Sequence, residues 1–228
     1  MSETTRFGKQ ILIRKMFMIV IVIYVFYTLM FLLLAPGLFQ NLINLIAIII
    51  YYIIATIDIL IRPIPKEKLI EKVEIIIALL GFVMPFILIL AYYENLFLIT
   101  RFIVFWNSII ISYIGMGVLI TGGILMVASR IQLGKFATPV IQIDKDHEII
   151  STGLYKYIRH PMYLGGILMM TGPFLIFKSL IALICMLIFN IILLTKRMDK
   201  EEGMLQKGLG EQYKSYMKRT KRLIPFIY

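Results

Sequence analysis

The sequence predicts an all-α fold: a polytopic membrane helix bundle of about six transmembrane helices, the last two forming a helical hairpin, with both termini cytoplasmic. Three observations predict it. Sixty per cent of the residues are apolar, only 16% are charged, and mean hydropathy is +0.90. That leaves too little polar surface to wrap a water-soluble globule. The apolar residues fall into runs near the ~20 residues that a helix needs to cross hydrocarbon. Finally, Lys and Arg crowd into every second connection between the runs, the signature of cytoplasmic loops.

The first run, Met16 to Ala35, is stopped by Pro36 and Gly37. No small-residue cleavage site follows it, so it reads as a retained helix rather than a signal peptide. The second, Leu38 to Ile61, ends at Arg62, Pro63 and Pro65. The third spans Ile75 to Tyr92 and the fourth Phe102 to Ser129. Arg130 to Arg159 is a mixed polar segment. Met162 to Phe177 and Leu180 to Leu194 follow, separated by Lys178 and Ser179. Each is short for an independent span, which favours a packed hairpin. The tail from Thr195 to Tyr228 is charged and reads as partly helical. The whole chain, 1–228, is one membrane domain with two long cytosolic segments, 130–163 and 195–228. It shows no repeat, low-complexity tract or long linker.

Basic residues set the orientation. Arg6, Lys9, Arg14 and Lys15 precede the first run; Arg62, Lys66, Lys68 and Lys72 follow the second; Arg130, Lys135, Lys145, Lys156 and Arg159 follow the fourth. The alternate connections hold only Arg101 and Lys178. The net charge of +11 is therefore assigned to cytoplasmic loops and anionic headgroups, not to nucleic acid. Membrane lipids are the expected surroundings.

Several chemistries are excluded. Cys185 is the one cysteine, so neither an intramolecular disulfide nor a cysteine metal cluster is possible; it reads as a small buried or lipid-facing hydrophobe. His147 and His160 are the only histidines, too few for a histidine-rich metal centre. No P-loop or GxGxxG dinucleotide loop appears. Asp58 falls inside the second run, where an acid is a functional candidate by default. Its place near the cytoplasmic end, beside Arg62, favours a plain reach to water.

Polar residues that could carry chemistry concentrate in HEIISTGLYKYIRHPMYLGG, His147 to Gly166, and in the tail from Thr195 to Pro225. Both adjoin the terminal hairpin. Thr152 and Gly153 suggest a turn. Pro161 disfavours helix at His160 and suits the first position of a new one. Such a helix start, near Arg159 and His160, favours an anion. Gly165 and Gly166 permit close approach by another helix or by a ligand. The residues alone leave two readings open: a ligand site, or an interfacial helix start with Tyr155, Tyr157 and Tyr163 as an aromatic belt. In the tail, Arg197 and Glu201 share a helix face, with Glu202 about 100° away. They are either an i,i+4 ion pair worth about 0.2–0.5 kcal/mol, or two separate ligand groups, with Arg197 holding an anion. Tyr213 and Tyr216 read as part of a surface amphipathic helix.

These two stretches, in this order around a terminal hairpin, resemble the isoprenylcysteine carboxyl methyltransferase family and the wider group of membrane methyltransferases that act on phospholipid amines and on thiols. The resemblance covers about the last hundred residues, Leu133 to Pro225: a histidine, a GLY turn, RHPMYLG, an apolar hairpin, an acidic pair, then GEQYKSY and RLIP. It implies S-adenosylmethionine as cofactor on the cytosolic face. It implies that His147, Glu148, Ile149 and Ile150 line the cofactor, with Tyr155 and the run His160, Pro161, Met162, Tyr163. Glu201 also contacts it, with Glu202 the alternative, and Gln142 is the nearest counterpart of an upstream glutamine. Arg197 would face the substrate, and Arg197 and Glu201 would carry the catalysis. The implied acceptor is lipophilic and enters from the bilayer. The alternatives are a phospholipid N-methyltransferase or thiol S-methyltransferase of the same group, an NADPH-dependent sterol-type reductase, or a channel or small transporter. The lack of an endoplasmic-reticulum retention signal predicts a prokaryotic plasma membrane.

Overall fold

A computed structural model describes residues 21–63, 72–97, 103, 105–137 and 148–225. Every regular element among them is helical: α1 (Ile21–Leu34), α2 (Leu42–Ile61), α3 (Lys72–Phe97), α4 (Ile109–Leu133), α5 (Pro161–Ile176), α6 (Leu180–Leu209) and α7 (Glu211–Arg219), with short 3-10 turns between. The predicted helix bundle is thus observed. By length and composition, the helices starting at Leu42, Ile109 and Leu180 are each able to cross a membrane. Their large side chains face outward: Ile181, Ile184, Ile188, Ile191 and Ile192 of α6 are all exposed. Among apolar residues in that number, exposure means contact with lipid.

Boundaries differ from the sequence reading where a local hydrogen bond decides them. The second run divides: Pro36–Gln40 forms a 3-10 turn, and Asn41 caps α2 by accepting from the Ile43 N–H at 2.9 Å. The sixth run does not stop at Leu194. No proline lies between Leu194 and Gly210, and α6 continues through Gly203 for 30 residues, about 45 Å at the α-helical rise. Its first half is apolar and its second half carries the polar tail residues.

The α4–α5 seam fixes the position of everything polar. Gly122 on α4 and Gly165 on α5 let the two backbones touch. A Cβ at Gly122 would lie 2.4 Å from the Met169 nitrogen, and one at Gly165 would lie 2.5 Å from the Met126 nitrogen. Gly122→Leu should therefore give little folded protein in detergent extracts. Gly122→Ala should melt several degrees lower, consistent with overpacking at roughly 1–3 kcal/mol. An unchanged melting temperature in both would show that the seam is not tight.

At the other end, a carboxylate from α3 caps the hairpin. Glu94 is buried; it accepts from the Ile181 N–H at 2.9 Å, the Ala182 N–H at 3.0 Å and the Ser179 hydroxyl. These are the orphan donors at the start of α6, and an anion there also suits the helix dipole. Trp106 Nε1 and Asn95 donate to the Lys178 carbonyl at 2.7 and 3.2 Å, which holds the turn itself. The α5–α6 turn is thus held by α3 and by the segment before α4, although α6 is longer than its apolar run suggested.

Candidate active site

The two polar stretches meet in space, and the contact is made just after α7, at Lys221 and Arg222. Lys221 bridges Ile158 in parallel. The Arg159 N–H donates to the Lys221 carbonyl at 2.8 Å and the His160 N–H to the Arg222 carbonyl at 3.0 Å. Arg159 reinforces this by donating from Nη1 to the carbonyls of Thr220 at 2.6 Å and Met217 at 3.2 Å. α7 packs inward through Tyr213 and Tyr216, which are 3% and 4% exposed. They form the inner face of this amphipathic helix and are not on its surface. Burial raises the Tyr216 hydroxyl to about 12, so it stays a donor, and it donates to the Tyr155 carbonyl at 2.7 Å.

Pro161 opens α5, as predicted, with His160 at the cap position. The anion beside that helix start comes from the chain itself. The Glu202 carboxylate lies 2.9 Å from His160 Nε2, accepts from Arg159 Nε at 2.8 Å and pairs with Arg222 at 3.2 Å. Burial alone would raise its pKa; the hydrogen bonds from His160 and Arg159 reverse that and hold it near 2. Glu202 thus joins α6 to α5 and to the tail.

Glu201 points elsewhere. The Tyr163 hydroxyl donates to Glu201 Oε2 at 2.6 Å and accepts from Arg197 Nε at 2.8 Å. Arg197 and Glu201 share a helix face, as their spacing required, and one hydroxyl from α5 joins them. Tyr163 also stacks on His160 at 5.3 Å. The structure therefore separates the acidic pair: Glu202 within a buried ionic cluster, Glu201 on the Tyr163–Arg197 side.

Arg197 and Tyr163 lie at the edge of a cavity of about 410 Å³ between α3, α4, α5 and α6. Met84, Ile87, Met170, Met186, Phe189 and Leu193 give it apolar walls, and Met162 and Cys185 also line it. Gly166 lines it too, and a Cβ there would meet nothing within 4 Å. The two neighbouring glycines thus have different surroundings: Gly165 meets a helix, and Gly166 opens onto the cavity.

Of the other residues singled out from sequence, Tyr155 is buried, and its hydroxyl donates to the Ser129 carbonyl at 3.3 Å. Glu148 is exposed, and Ile149 and Ile150 are half-buried. Gln142 and His147 lie outside the described residues. Asp58 does not reach water: it is 4% exposed, bonded to Arg62 at 2.6 Å and to Arg130 at 2.5 Å. Sequence reasoning did not place Arg62 and Arg130 at the cavity, although both line it. The signal was Asp58 itself, since an acid inside a span needs a cationic partner.

The phospholipid methyltransferase family matches residues 110–212, the region that contains the α4–α5 seam, the hairpin and the acidic pair. Over that stretch the chain is similar to this membrane methyltransferase family. Among similar proteins, protein-S-isoprenylcysteine O-methyltransferase B of Arabidopsis thaliana is 29% identical over 119 residues, covering 51% of this chain and 60% of that protein. The probable protein-S-isoprenylcysteine O-methyltransferase of Oryza sativa subsp. indica is 26% identical over 119 residues, covering 51% and 62%. The Schizosaccharomyces pombe enzyme is 27% identical over 117 residues, covering 49% and 48%. The chain thus spans between about half and three fifths of the length of these curated relatives. Among solved structures, the eukaryotic intramembrane Ras methyltransferase ICMT matches with a TM-score of 0.58 and 21% identity, covering 86% of this chain and 67% of that one. At that identity the likeness is one of fold, and it extends the family's helical membrane architecture to the N-terminal helices. The relatives named are plant and yeast proteins, all eukaryotic, and they lend nothing to the prokaryotic plasma membrane expected from sequence.

Proposed function

We propose that the chain is an S-adenosylmethionine-dependent membrane methyltransferase that esterifies the carboxylate of an isoprenylcysteine-type lipophilic acceptor. The observation that carries this reading is an apolar cavity with a guanidinium at its edge: Arg197, held by Tyr163 and lining the cavity beside Met186 and Leu193. An acceptor with a long apolar chain and one anionic end matches that polarity. The names of the relatives point the same way.

The chemistry of the nearby groups suits S-adenosylmethionine. Its ammonium and ribose diol call for carboxylate acceptors, the role proposed for Glu201 and Glu148. Its adenine calls for apolar and aromatic surface, the role proposed for Ile149, Ile150 and Tyr155. When bound, it supplies a methyl group activated by a sulfonium. A cysteine carboxylate is already an anion, so no general base is required of the protein. Arg197 would fix its direction, and the apolar walls would exclude water. Tyr163 would keep Arg197 and Glu201 in register.

In the same reading, the six helices α1 to α6 cross the bilayer, both termini and the segments 130–163 and 195–228 face the cytoplasm, and the acceptor enters sideways from lipid. The basic connections support this. The test is transfer of a labelled methyl group to a panel of a prenylcysteine, phosphatidylethanolamine and a small thiol. Label is expected in the prenylcysteine carboxyl ester; label only in the amine or the thiol would overturn the proposal.

Gly166 gives a second test. Gly166→Leu should fold, because its Cβ has open space, yet fill part of the cavity. Prenylcysteine methylation should fall at least tenfold, the scale of losing about 1.4 kcal/mol of binding. Full activity would show that the acceptor does not occupy this cavity.

A further inference from the structure

The charge on this cavity exceeds what one carboxylate needs. Three arginines line it, Arg62, Arg130 and Arg197, and no carboxylate does among the described residues. Arg62 and Arg130 share Asp58. Arg62 donates to Oδ2 at 2.6 Å; Arg130 donates from Nε to Oδ1 at 2.5 Å and from Nη2 to Oδ2 at 3.2 Å. Two guanidiniums on one carboxylate leave one net positive charge beside an apolar cavity, where it is poorly screened.

The two arginines are not equally occupied. Arg130 is 7% exposed and spends Nη1 on the Ala137 carbonyl at 2.9 Å. Arg62 is 39% exposed through its side chain, yet its Nε is buried and has no hydrogen-bond partner among the described residues. A buried donor without a partner is unfavourable until an acceptor reaches it. A guanidinium held by Asp58 while it lines the cavity is pre-organised for an anionic oxygen.

We propose that Arg62 is a second substrate-contact residue, an anion anchor for the head of the lipophilic acceptor, acting alongside Arg197. It caps the C-terminal end of α2, outside the segment 110–212 that the family matches, so the N-terminal half of this chain takes part in choosing the acceptor. The proposal rests on the methyltransferase reading for the acceptor's lipophilic character. The anionic oxygen could belong to a carboxylate or to a phosphodiester headgroup, and the test distinguishes them.

Cys185 supplies the readout. It is the one cysteine in the chain, it is exposed, and it lines the same cavity. The full-length protein in detergent micelles would be labelled with a lipophilic maleimide in the presence of N-acetyl-S-farnesylcysteine, its neutral carboxamide or dioctanoyl phosphatidylethanolamine. The concentration of each that half-protects Cys185 is measured in wild type, Arg62→Met and Arg62→Lys. Arg62→Met should raise the half-protecting concentration of the carboxylate at least tenfold and leave the carboxamide within twofold, while Arg62→Lys stays within threefold of wild type. The same pattern confined to phosphatidylethanolamine keeps the anchor, assigns it to phosphate, and sinks the prenylcysteine reading. Unchanged protection in Arg62→Met overturns the anchor, as does equal weakening in Lys and Met or a failure of Arg62→Met to fold, either of which makes Arg62 only a partner for Asp58. The labelled-methyl assay decides the methyltransferase reading separately.

Discussion

Arg197→Ala should abolish methyl transfer to a prenylcysteine while leaving S-adenosylmethionine binding intact. The expected loss in turnover is about 100- to 1,000-fold, the roughly 3–4 kcal/mol typical of removing one pre-organised electrostatic contact in a water-poor site. The reason lies in the division of labour around Tyr163. Its hydroxyl accepts from Arg197 and donates to Glu201, so the cation proposed to face the substrate and the anion proposed to face the cofactor are tied to one atom. Removing the guanidinium takes away orientation of the acceptor and leaves Glu201 its Tyr163 partner. Arg197→Lys should recover little, because an ammonium lacks the planar fork that grips a carboxylate. Glu201→Gln should show the complementary signature, weaker cofactor binding by calorimetry. Single-turnover transfer and titration calorimetry on each purified variant separate the two. Turnover within threefold of wild type in Arg197→Ala would remove this residue from the site. Equal loss of cofactor binding in both variants would dissolve the distinction between them.

Much of this was legible in the sequence because the bilayer imposes strict rules. Apolar runs, proline stops and alternating basic loops outline the helices α1 to α6, since a buried backbone in lipid must be helical. RHPMYLG and the acidic pair marked both sides of the site, and Pro161 fixed the start of α5. What escaped depended on long-range pairing. Nothing local distinguishes Glu201 from Glu202; their different partners come from Tyr163 on one side and from Arg159, His160 and Arg222 on the other. Gly165 and Gly166 are adjacent and identical, and only the packing of α4 against α5 tells which one faces the cavity. Asp58 looked like a residue near water because its second partner, Arg130, is 72 positions away. Continuation of α6 past Leu194 was hidden by composition: a polar stretch after an apolar one reads as an end, yet it contains no proline, and Gly203 is tolerated inside the helix.

The same cluster predicts where stability will fail. Glu202 faces Arg159, His160 and Arg222, which join α6, the start of α5 and the tail. Glu202→Ala leaves those donors buried without their acceptor, and breaking one side of a buried ion pair costs about 3–5 kcal/mol. That is comparable to a large share of a domain's whole stability, so the variant should lose the packed tail, read as protease sensitivity after Arg197 and a lower melting temperature. Acid should act through the same group. Its carboxyl is held near 2 in the folded protein against 4.5 in the open chain. A depressed value means that its contribution is complete above pH 4.5 and disappears as pH falls toward 2. Glu202→Gln imitates the protonated state, so it should melt well below wild type at pH 6, with the gap narrowing by pH 3. A gap that stays constant between those pH values would mean that shape at this position, not charge, holds the tail against α5.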